Sequence, residues 1–399
     1  MNRHSLRLVF SVASSLLLIC DQCLATDLSR QLPDPPTPTK EFEVKGQSAY
    51  LGSQPVRLWG LRCVHALRDR AMTERLVRNL DNFTDHGINL ISVYLQPAHG
   101  GYPDIQAGIN PFGETGRLDP AFARRLEWLA READRRGMVL LIGVITPIKD
   151  QELKDEAAIR TAIEETARLL QNRKIRNVVV DLLYEFDHPT RIFHESFREP
   201  EGALKKYRAA DWFHAIAPEI EAGVTTETHS TSPKQFAGMD LHLIQKEDPI
   251  PADGYALNIE SLRRDVFGQE GIFTPEQKQS IFRELDRYRA TANVGYVFNT
   301  SYTQSIGGAS GTGPHFEMGG DGTGPDDRGI RFYFEWIRDN VGRYEYPKHI
   351  KTMPWRVVSG RASASLILLC RFSAMPDRTR RCPPCCGVRR RVRLPAGPA

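Results

Sequence analysis

The stretch Asn177-Val-Val-Val-Asp-Leu-Leu-Tyr-Glu185 joins a run of apolar residues to a carboxylate. An apolar run of this length predicts a strand that is buried on both faces, as in parallel sheets. A helical pattern precedes it from about Glu152 to Gln171, and another follows from about Gly202 to Ile216. A strand between two helices is the unit from which α/β folds are built.

The same unit recurs on both sides of this stretch. Gly87 and Gly137 follow two predicted helices, in the position where a glycine typically ends a helix. Eight strands, most of them separated by helices, favour an α/β fold of the (β/α)8 TIM barrel type. An open doubly wound sheet is the competing architecture, but no strand is followed by the G-x-G-x-x-G pattern of its dinucleotide-binding form. The predicted strands are 57–63, 88–94, 138–144, 177–185, 222–226, 239–244, 255–260 and 294–299, and the predicted helices are 72–86, 119–136, 152–171, 202–216, 275–290 and 330–340.

Composition and charge limit the classes of protein to which the chain can belong. It has 399 residues, of which 41% are hydrophobic and 26% charged, so it can build a large core. The net charge is +4, but residues 352–399 contribute +9 and residues 1–25 contribute +1, which leaves −6 for residues 26–351. This mildly acidic part gives no reason to expect nucleic acid or an anionic membrane as a partner.

The amino-terminal end has the pattern of a targeting segment. Residues 1–25 are interpreted as a signal peptide, because Arg3 and Arg7 precede an apolar run too short to span a bilayer. A buried helix or an uncleaved anchor is the alternative. Residues 26–40 predict a Pro-rich linker. We therefore expect a secreted or periplasmic protein with no stable membrane insertion after the signal is cleaved.

The carboxyl-terminal end differs abruptly in composition. Residues 352–399 are rich in Arg, Pro and Cys and contain no Lys, Glu, Asn, Gln, Tyr or His, which indicates a disordered or frame-shifted tail. Of the seven cysteines only Cys63 lies within residues 41–351, so no disulfide framework is expected there. Residues 382–386 could bind zinc, but no second ligand pair follows them. The segment 41–351, which begins with a predicted β-hairpin over 42–60, is the domain that carries the function.

Two glutamates stand where a barrel enzyme has its chemistry, at the carboxyl ends of the strands. Glu185 and Glu260 each end an apolar run, where a buried charge is costly without a purpose or a partner. Glycoside hydrolysis requires two facing carboxylates, one to protonate the leaving oxygen and one to attack the anomeric carbon or activate water. Structural salt bridges are the alternative, and the candidate partners are Arg62, Arg191, Arg263 and Arg264.

Further polar and aromatic side chains lie at or just beyond the predicted strand ends. Those that we expect to contact the substrate are Arg62, Tyr94, Tyr184, Asp187, His188, His229, His242, Asn258 and Tyr302. Asp187 and His188 could instead stabilise a loop, and both His229 and His242 could be hydrogen-bonded wall residues. A metal site formed by the three histidines with Asp240 is conceivable, but no His-x-His pattern supports it, so no metal or other cofactor is expected.

At these residues the sequence resembles the secreted (β/α)8 glycoside hydrolases of the cellulase and mannanase type, family 5 of clan A. The segment 42–60 is similar to that family's entry strands, and Gly60-Leu-Arg62 is similar to its first-strand motif; the resemblance covers about residues 41–348. It implies that Glu185 is the acid/base and Glu260 the nucleophile of a retaining mechanism with a covalent glycosyl-enzyme intermediate. It also implies a polysaccharide or oligosaccharide as the substrate, and we expect a monomer.

The sequence departs from that family in two places. Tyr184 stands where the family has an Asn immediately before the acid/base, and His242 is followed by Leu243 and Ile244 instead of completing a His-x-Tyr motif. These departures indicate a divergent member. The alternative functions are a non-catalytic carbohydrate-binding barrel and a metal-dependent barrel hydrolase.

Overall fold

The computed structural model describes residues 36–97, 109–186, 188, 190–194, 202–225, 238–263, 265–304 and 313–347. The predicted signal peptide, the first part of the linker and the Arg-rich tail lie outside these residues, so their assignments stay predictions. No helix in the described part of the chain is long and apolar enough to cross a membrane. The linker's last residues contact the barrel, because Thr39 donates its N–H to the carbonyl of Lys174 at 3.0 Å.

A small antiparallel sheet begins the fold, where we predicted a two-stranded hairpin. Its strands are β1 (Phe42–Lys45), β2 (Ser48–Leu51) and β3 (Gln54–Val56). Gly46 and Gly52 make its two turns with positive φ, which glycine adopts without steric cost. Phe42, Ala49 and Leu51 are buried against residues that line the barrel interior, so this sheet covers the amino end of the barrel.

The main sheet contains eight parallel strands, as predicted. They are β4 (Trp59–Arg62), β5 (Leu90–Tyr94), β6 (Val139–Ile145), β7 (Val178–Leu183), β8 (Ala222–Gly223), β9 (His242–Gln245), β10 (Ala256–Glu260) and β11 (Val294–Phe298). Their order across the sheet is β8-β7-β6-β5-β4-β11-β10-β9. The two outer strands meet through a parallel bridge between Thr225 and Leu243, and Asp240 N–H donates to the Ala222 carbonyl at 3.1 Å. The sheet therefore closes into a barrel.

Helices cover the outside of the barrel. They are α1 (Arg70–Asp85), α2 (Pro120–Arg135), α3 (Glu156–Asn172), α4 (Gly202–His214), α5 (Pro275–Ala290), the short α6 (Ser301–Gln304) and α7 (Arg331–Asn340), with 3-10 turns at Asp150–Glu152 and Pro325–Asp327. Gly87 and Gly137 follow α1 and α2 with positive φ, which confirms their predicted role as helix ends. No helix separates β9 from β10, in agreement with the short spacing of those two predicted strands.

Predicted boundaries were wrong by two or three residues at five strands. The strands predicted from Arg57 and Ile88 begin at Trp59 and Leu90. The strand predicted over 177–185 ends at Leu183, because Glu185 takes a left-handed backbone with φ of 47°. The strand predicted over 222–226 ends at Gly223. The strand predicted over 239–244 starts only at His242. Asp240 lies in the loop before it, where its side-chain carboxylate accepts a hydrogen bond from Ala222 N–H at 2.8 Å.

Candidate active site

The carboxyl end of the barrel brings together a buried cation, a carboxylate and two tyrosines. Arg62 is the last residue of β4, Tyr94 the last of β5 and Glu260 the last of β10, while Tyr184 directly follows β7. An Arg62 Nη atom forms an ion pair with Glu260 Oε2, and the Tyr184 hydroxyl donates to the same oxygen. The strand-end positions that the sequence singled out therefore meet at one carboxylate.

The two tyrosine rings hold the guanidinium in place. The Arg62 side chain is almost completely buried, and its guanidinium carbon lies 4.9 Å from the ring centre of Tyr94 and 4.7 Å from that of Tyr184. The two rings meet edge to face, with centres 5.4 Å apart. A cation over aromatic faces is stabilised by their quadrupoles, and the effect is larger when water is excluded. Arg62 is thus fixed in orientation before any substrate arrives.

This arrangement keeps the Glu260 carboxylate ionised. Burial by itself would raise the pKa of Glu260, but the charges of Arg62 and Lys246 and the hydrogen bonds from Tyr184 and Arg62 outweigh it, so the pKa is lowered. The side chain of Glu260 keeps 17% of its surface exposed, whereas that of Arg62 keeps 2%. The result is a negatively charged oxygen that is held firmly and still faces solvent.

A strand irregularity turns Glu260 toward the barrel interior. Side chains alternate along a strand, so Glu260 should lie on the same side as Asn258. The pairing of β10 with β9 shifts register between these two residues. Irregularities of this kind redirect a side chain at the end of a strand. Glu260 therefore reaches Arg62, while Asn258 faces the helical layer.

Glu185 lies in the turn that follows β7. It is 3% exposed, and its carbonyl accepts a hydrogen bond from His188 N–H at 2.9 Å. Its φ of 47° is unusual for a residue with a side chain and costs about 1–3 kcal/mol, and such strain is concentrated at functional sites. Burial is the main reason that the Tyr184 pKa is well above its usual value, and the charges of Glu185 and Glu260 raise it further. The charges of Glu185 and Glu260 thus both act on the Tyr184 hydroxyl.

The structure does not bring two of the predicted substrate contacts to this pair. Asn258 is fully buried and donates to the Tyr288 hydroxyl at 2.5 Å, toward α5, because it faces outward from the barrel. His242 begins β9 and is in register with Ala256, the first residue of β10, so it lies at the amino end of the barrel. Because a strand rises about 3.3 Å per residue, His242 is roughly four residues' length away from Glu260 along the sheet.

Two further predicted contacts, His188 and Tyr302, follow strands β7 and β11 at the carboxyl end of the barrel. His188 Nδ1 accepts the N–H groups of Thr190 and Arg191, each at 3.2 Å, which is the loop-stabilising arrangement that we left open for it. Tyr302 lies in α6, is 6% exposed and stacks on the ring of His315 with centres 4.6 Å apart. Asp187 and His229 lie outside the described residues. The substrate contacts of this set stay predictions.

Four arginines were candidate salt-bridge partners of Glu185 and Glu260, and the described residues show an ion pair with Glu260 for one of them. Arg62 is the partner of Glu260. Arg263 pairs with Glu247 at 2.8 Å and Asp265 at 2.9 Å. The carbonyl of Arg191 accepts Ile148 N–H at 2.8 Å, and Arg264 lies outside the described residues.

Lys246 and Thr225 were not predicted from the sequence as site residues. Lys246 follows β9 directly, and its charge lowers the pKa of Glu260; the predicted end of that strand was one residue early, which hid Lys246 as a strand-end cation. Thr225 donates its hydroxyl to Asp181 at 2.8 Å inside the barrel. A threonine two residues after a strand gives no signal of its own.

The described residues form a further groove and no metal cluster. Within the described ranges, no group of three or more His, Cys, Asp or Glu side chains could hold a metal ion. A groove of about 680 Å³ lies against α3, outside the barrel. Arg117 and Arg168 in its wall are paired with Glu165, at 3.6 Å and 3.3 Å. The groove is therefore not the site of the paired carboxylates.

Comparisons with known proteins find likenesses among solved structures. No protein-family profile matches the sequence, and no curated protein matches it. The fold is similar to that of a β-glucanase from Saccharophagus degradans in complex with cellotetraose, with a TM-score of 0.49 and 13% identity over 76% of this chain and 94% of that chain. A β-mannanase from the blue mussel Mytilus edulis has a TM-score of 0.43 and 11% identity over 65% of this chain and 92% of that one. A family 5 glycoside hydrolase from Bacteroides vulgatus has a TM-score of 0.46 and 12% identity over 67% and 64%.

Proposed function

We propose that this chain is a glycoside hydrolase that cleaves O-glycosidic bonds of a polysaccharide or oligosaccharide with retention of configuration. The observation that carries the proposal is the Glu260 carboxylate at the carboxyl end of the barrel. It is kept ionised by Arg62 and Tyr184, and Glu185 follows a strand that ends at the same face. A fixed, ionised carboxylate with a second carboxyl nearby matches the needs of a double displacement.

In the first step, Glu260 is the nucleophile. One of its oxygens attacks the anomeric carbon and forms a glycosyl ester, while Glu185 gives its proton to the leaving glycosidic oxygen. Oε2 already accepts two hydrogen bonds, so Oε1 is the oxygen free to attack. Arg62 and Tyr184 hold the carboxylate in place and need not reorganise during the reaction.

In the second step, Glu185 acts as a base. It removes a proton from water, whose oxygen attacks the anomeric carbon, and the ester bond to Glu260 breaks. The sugar keeps its anomeric configuration because two inversions occur. Glu185 ends the cycle protonated and Glu260 ends it as a carboxylate, so the site returns to its starting state.

The similar solved structures suggest which substrates to try first. They include proteins named as a β-glucanase and a β-mannanase. We therefore propose β-linked glucans and mannans, with aryl β-glycosides of the corresponding disaccharides as reporter substrates.

Substitution of each glutamate tests the assignment. Glu260→Ala should lower kcat by at least about 10³-fold, because a covalent step loses its nucleophile, and azide should restore turnover with an inverted glycosyl azide as product. Glu185→Gln should lower kcat on substrates with poor leaving groups and much less on dinitrophenyl glycosides, which need little acid help.

A matched control separates these effects from a general loss of structure. Glu284 is a half-buried carboxyl on α5, outside the barrel, and Glu284→Ala should leave kcat within about threefold of the parent. Carbohydrate binding that persists without hydrolysis in the parent, and that survives loss of both glutamates, would show a binding barrel and not an enzyme.

A further inference from the structure

A third carboxyl group lies inside the barrel, beneath the pair. Asp181 is on β7, is completely buried, and is level with Gly143 of β6 and Gly223 of β8. The space over Gly223 is filled by the Leu243 side chain, to which a Cβ at Gly223 would come within 2.9 Å. The space above Gly143 is filled by the ring of Tyr94, since a Cβ at Gly143 would come within 2.1 Å of that ring. Asp181 therefore faces the aromatic ring that also packs on Arg62.

The Asp181 carboxyl is poorly compensated for a buried charge. Oδ2 accepts the Thr225 hydroxyl at 2.8 Å, and Oδ1 makes no hydrogen bond to any described residue. Burial raises the pKa of Asp181 to about 7, against the opposing effects of the Thr225 hydroxyl, the Arg62 charge and the backbone N–H groups of Thr225 and Leu183. A carboxyl in such a setting is stable in its neutral form.

Arg62 is the cation that Asp181 shares with the site. Arg62 acts on Asp181 and pairs with Glu260, and the charges of Asp181, Glu185 and Glu260 all raise the pKa of Tyr94. The ionisable groups coupled to Asp181 are Arg62 on β4 and Tyr94 on β5, and the charges of Glu185 after β7 and Glu260 on β10 reach Tyr94 as well. The Arg62 guanidinium, helped at Glu260 by Lys246, thus acts on both Asp181 and Glu260.

We propose that Asp181 is a positioning residue for Glu260: in its neutral form it leaves the Arg62 guanidinium to Glu260, and in its ionised form it competes for that guanidinium. The proposal rests on the catalytic assignment of Glu260. Ionisation of Asp181 then loosens the nucleophile, so turnover falls as pH rises while substrate binding changes less. The neutral amide of Asn mimics the protonated carboxyl in size and removes the competition.

The test compares the parent with Asp181→Asn across pH. The ratio of kcat for Asp181→Asn to kcat for the parent should rise at least about fivefold between pH 5.5 and pH 8.5, with little change in KM. A ratio that stays constant with pH, whether high or low, would overturn the proposal, because a purely structural role lowers activity equally at every pH. Glu284→Gln replaces a half-buried carboxyl outside the barrel, and the ratio of its kcat to that of the parent should not change with pH.

Melting temperature gives a readout that does not depend on hydrolysis. Asp181 ionises near its ordinary pKa of about 4 in the unfolded chain and only near pH 7 in the fold, so the parent loses stability as pH rises through this window. The melting temperature of Asp181→Asn minus that of the parent should therefore increase by about 2 °C or more from pH 5 to pH 8. If this difference in melting temperature does not change with pH, Asp181 is not a buried neutral carboxyl and the proposal fails. This result does not depend on whether the protein hydrolyses a glycoside.

A second variant keeps the proposal testable if Asp181→Asn does not fold. Thr225→Val removes the hydroxyl that favours the ionised carboxyl, so Asp181 should ionise at higher pH. The alkaline loss of kcat should then move to higher pH than in the parent. A shift to lower pH, or none, would contradict the proposal.

Discussion

Tyr184, which stands where the resembled family has an Asn, contacts both Glu260 and Arg62. The sequence placed it among substrate contacts, yet its hydroxyl donates to Glu260 and its ring lies on Arg62. A hydrogen bond to a charged group contributes about 1.5–3 kcal/mol. At this position that stabilisation is given to the Glu260 carboxylate and the Arg62 guanidinium together.

Loss of the Tyr184 hydroxyl should therefore impair turnover more than binding. Tyr184→Phe keeps the ring on Arg62 and removes one donor to Glu260, so kcat should fall by about 10- to 100-fold while KM changes by less than about threefold. Steady-state kinetics on an aryl glycoside measure both constants.

Tyr344→Phe is the matched control for this change. The Tyr344 hydroxyl donates to the Gly137 carbonyl at 2.6 Å, at a helix end away from the carboxylates. Its removal should cost about 1–2 kcal/mol of unfolding free energy and leave kcat unchanged. Equal losses of kcat in the two variants would show that Tyr184 acts only on stability.

At the scale of elements, the barrel was predictable because its strands are short apolar runs bounded by capped helices. Helix α5 matched its predicted bounds, since Thr274 and Gln277 form a reciprocal capping box at its start. Strand ends were less predictable. Alternation alone would have turned Glu260 outward, and only the register shift of β10 against β9 turns it inward. Long-range pairing of this kind leaves no trace in a local pattern.

The segment after Glu185 is anchored to the neighbouring loop by the buried Asp150 carboxyl, in addition to the backbone bond from Ile148 to Arg191. Asp150 Oδ2 accepts the N–H groups of Phe193 and His194 at 2.8 and 2.7 Å. Asp150→Ala should cost about 2–3 kcal/mol, speed amide exchange over residues 190–194 and lower kcat, because the turn that carries Glu185 loses its support. Hydrogen exchange with mass spectrometry measures the local effect.

Asp155→Ala provides the comparison in the same region. Asp155 accepts Ala158 N–H at 2.8 Å as the N-cap of α3, and its loss should cost about 1 kcal/mol. Exchange over residues 190–194 should stay at the parental rate. Faster exchange there in both variants would show that the whole face of the barrel loosens, and would remove the specific role of Asp150.

At the scale of the molecule, buried carboxyl groups set how stability depends on pH. Glu221 accepts Val44 N–H at 2.6 Å where β1 meets the barrel, and burial raises its pKa to about 7, with further contributions from Asp240 and Glu43. Its contribution to stability is complete below the unfolded pKa of about 4.3 and is lost as pH rises through about 7. The protein should therefore be most stable on the acidic side of neutrality.

Neutralising Glu221 should flatten this dependence. In Glu221→Gln, the fall in melting temperature between pH 5 and pH 8 should be smaller than in the parent, because the amide oxygen can still accept Val44 N–H without ionising. Glu345→Gln, a change at an exposed carboxyl, should leave the parental slope unchanged. If the melting temperature of Glu221→Gln falls as steeply with pH as that of the parent, groups other than Glu221 cause the pH dependence.

The covalent intermediate tests the central claim most directly. The parent would be incubated with a dinitrophenyl 2-deoxy-2-fluoro-β-glycoside of the disaccharide series that it hydrolyses, and the labelled peptide would be identified by mass spectrometry. The assignment predicts one glycosyl unit on Glu260, and none in Glu260→Ala. A label on another residue, or an inverted product with no label from an enzyme that turns over the parent glycoside, would contradict Glu260 as the nucleophile of a retaining hydrolase.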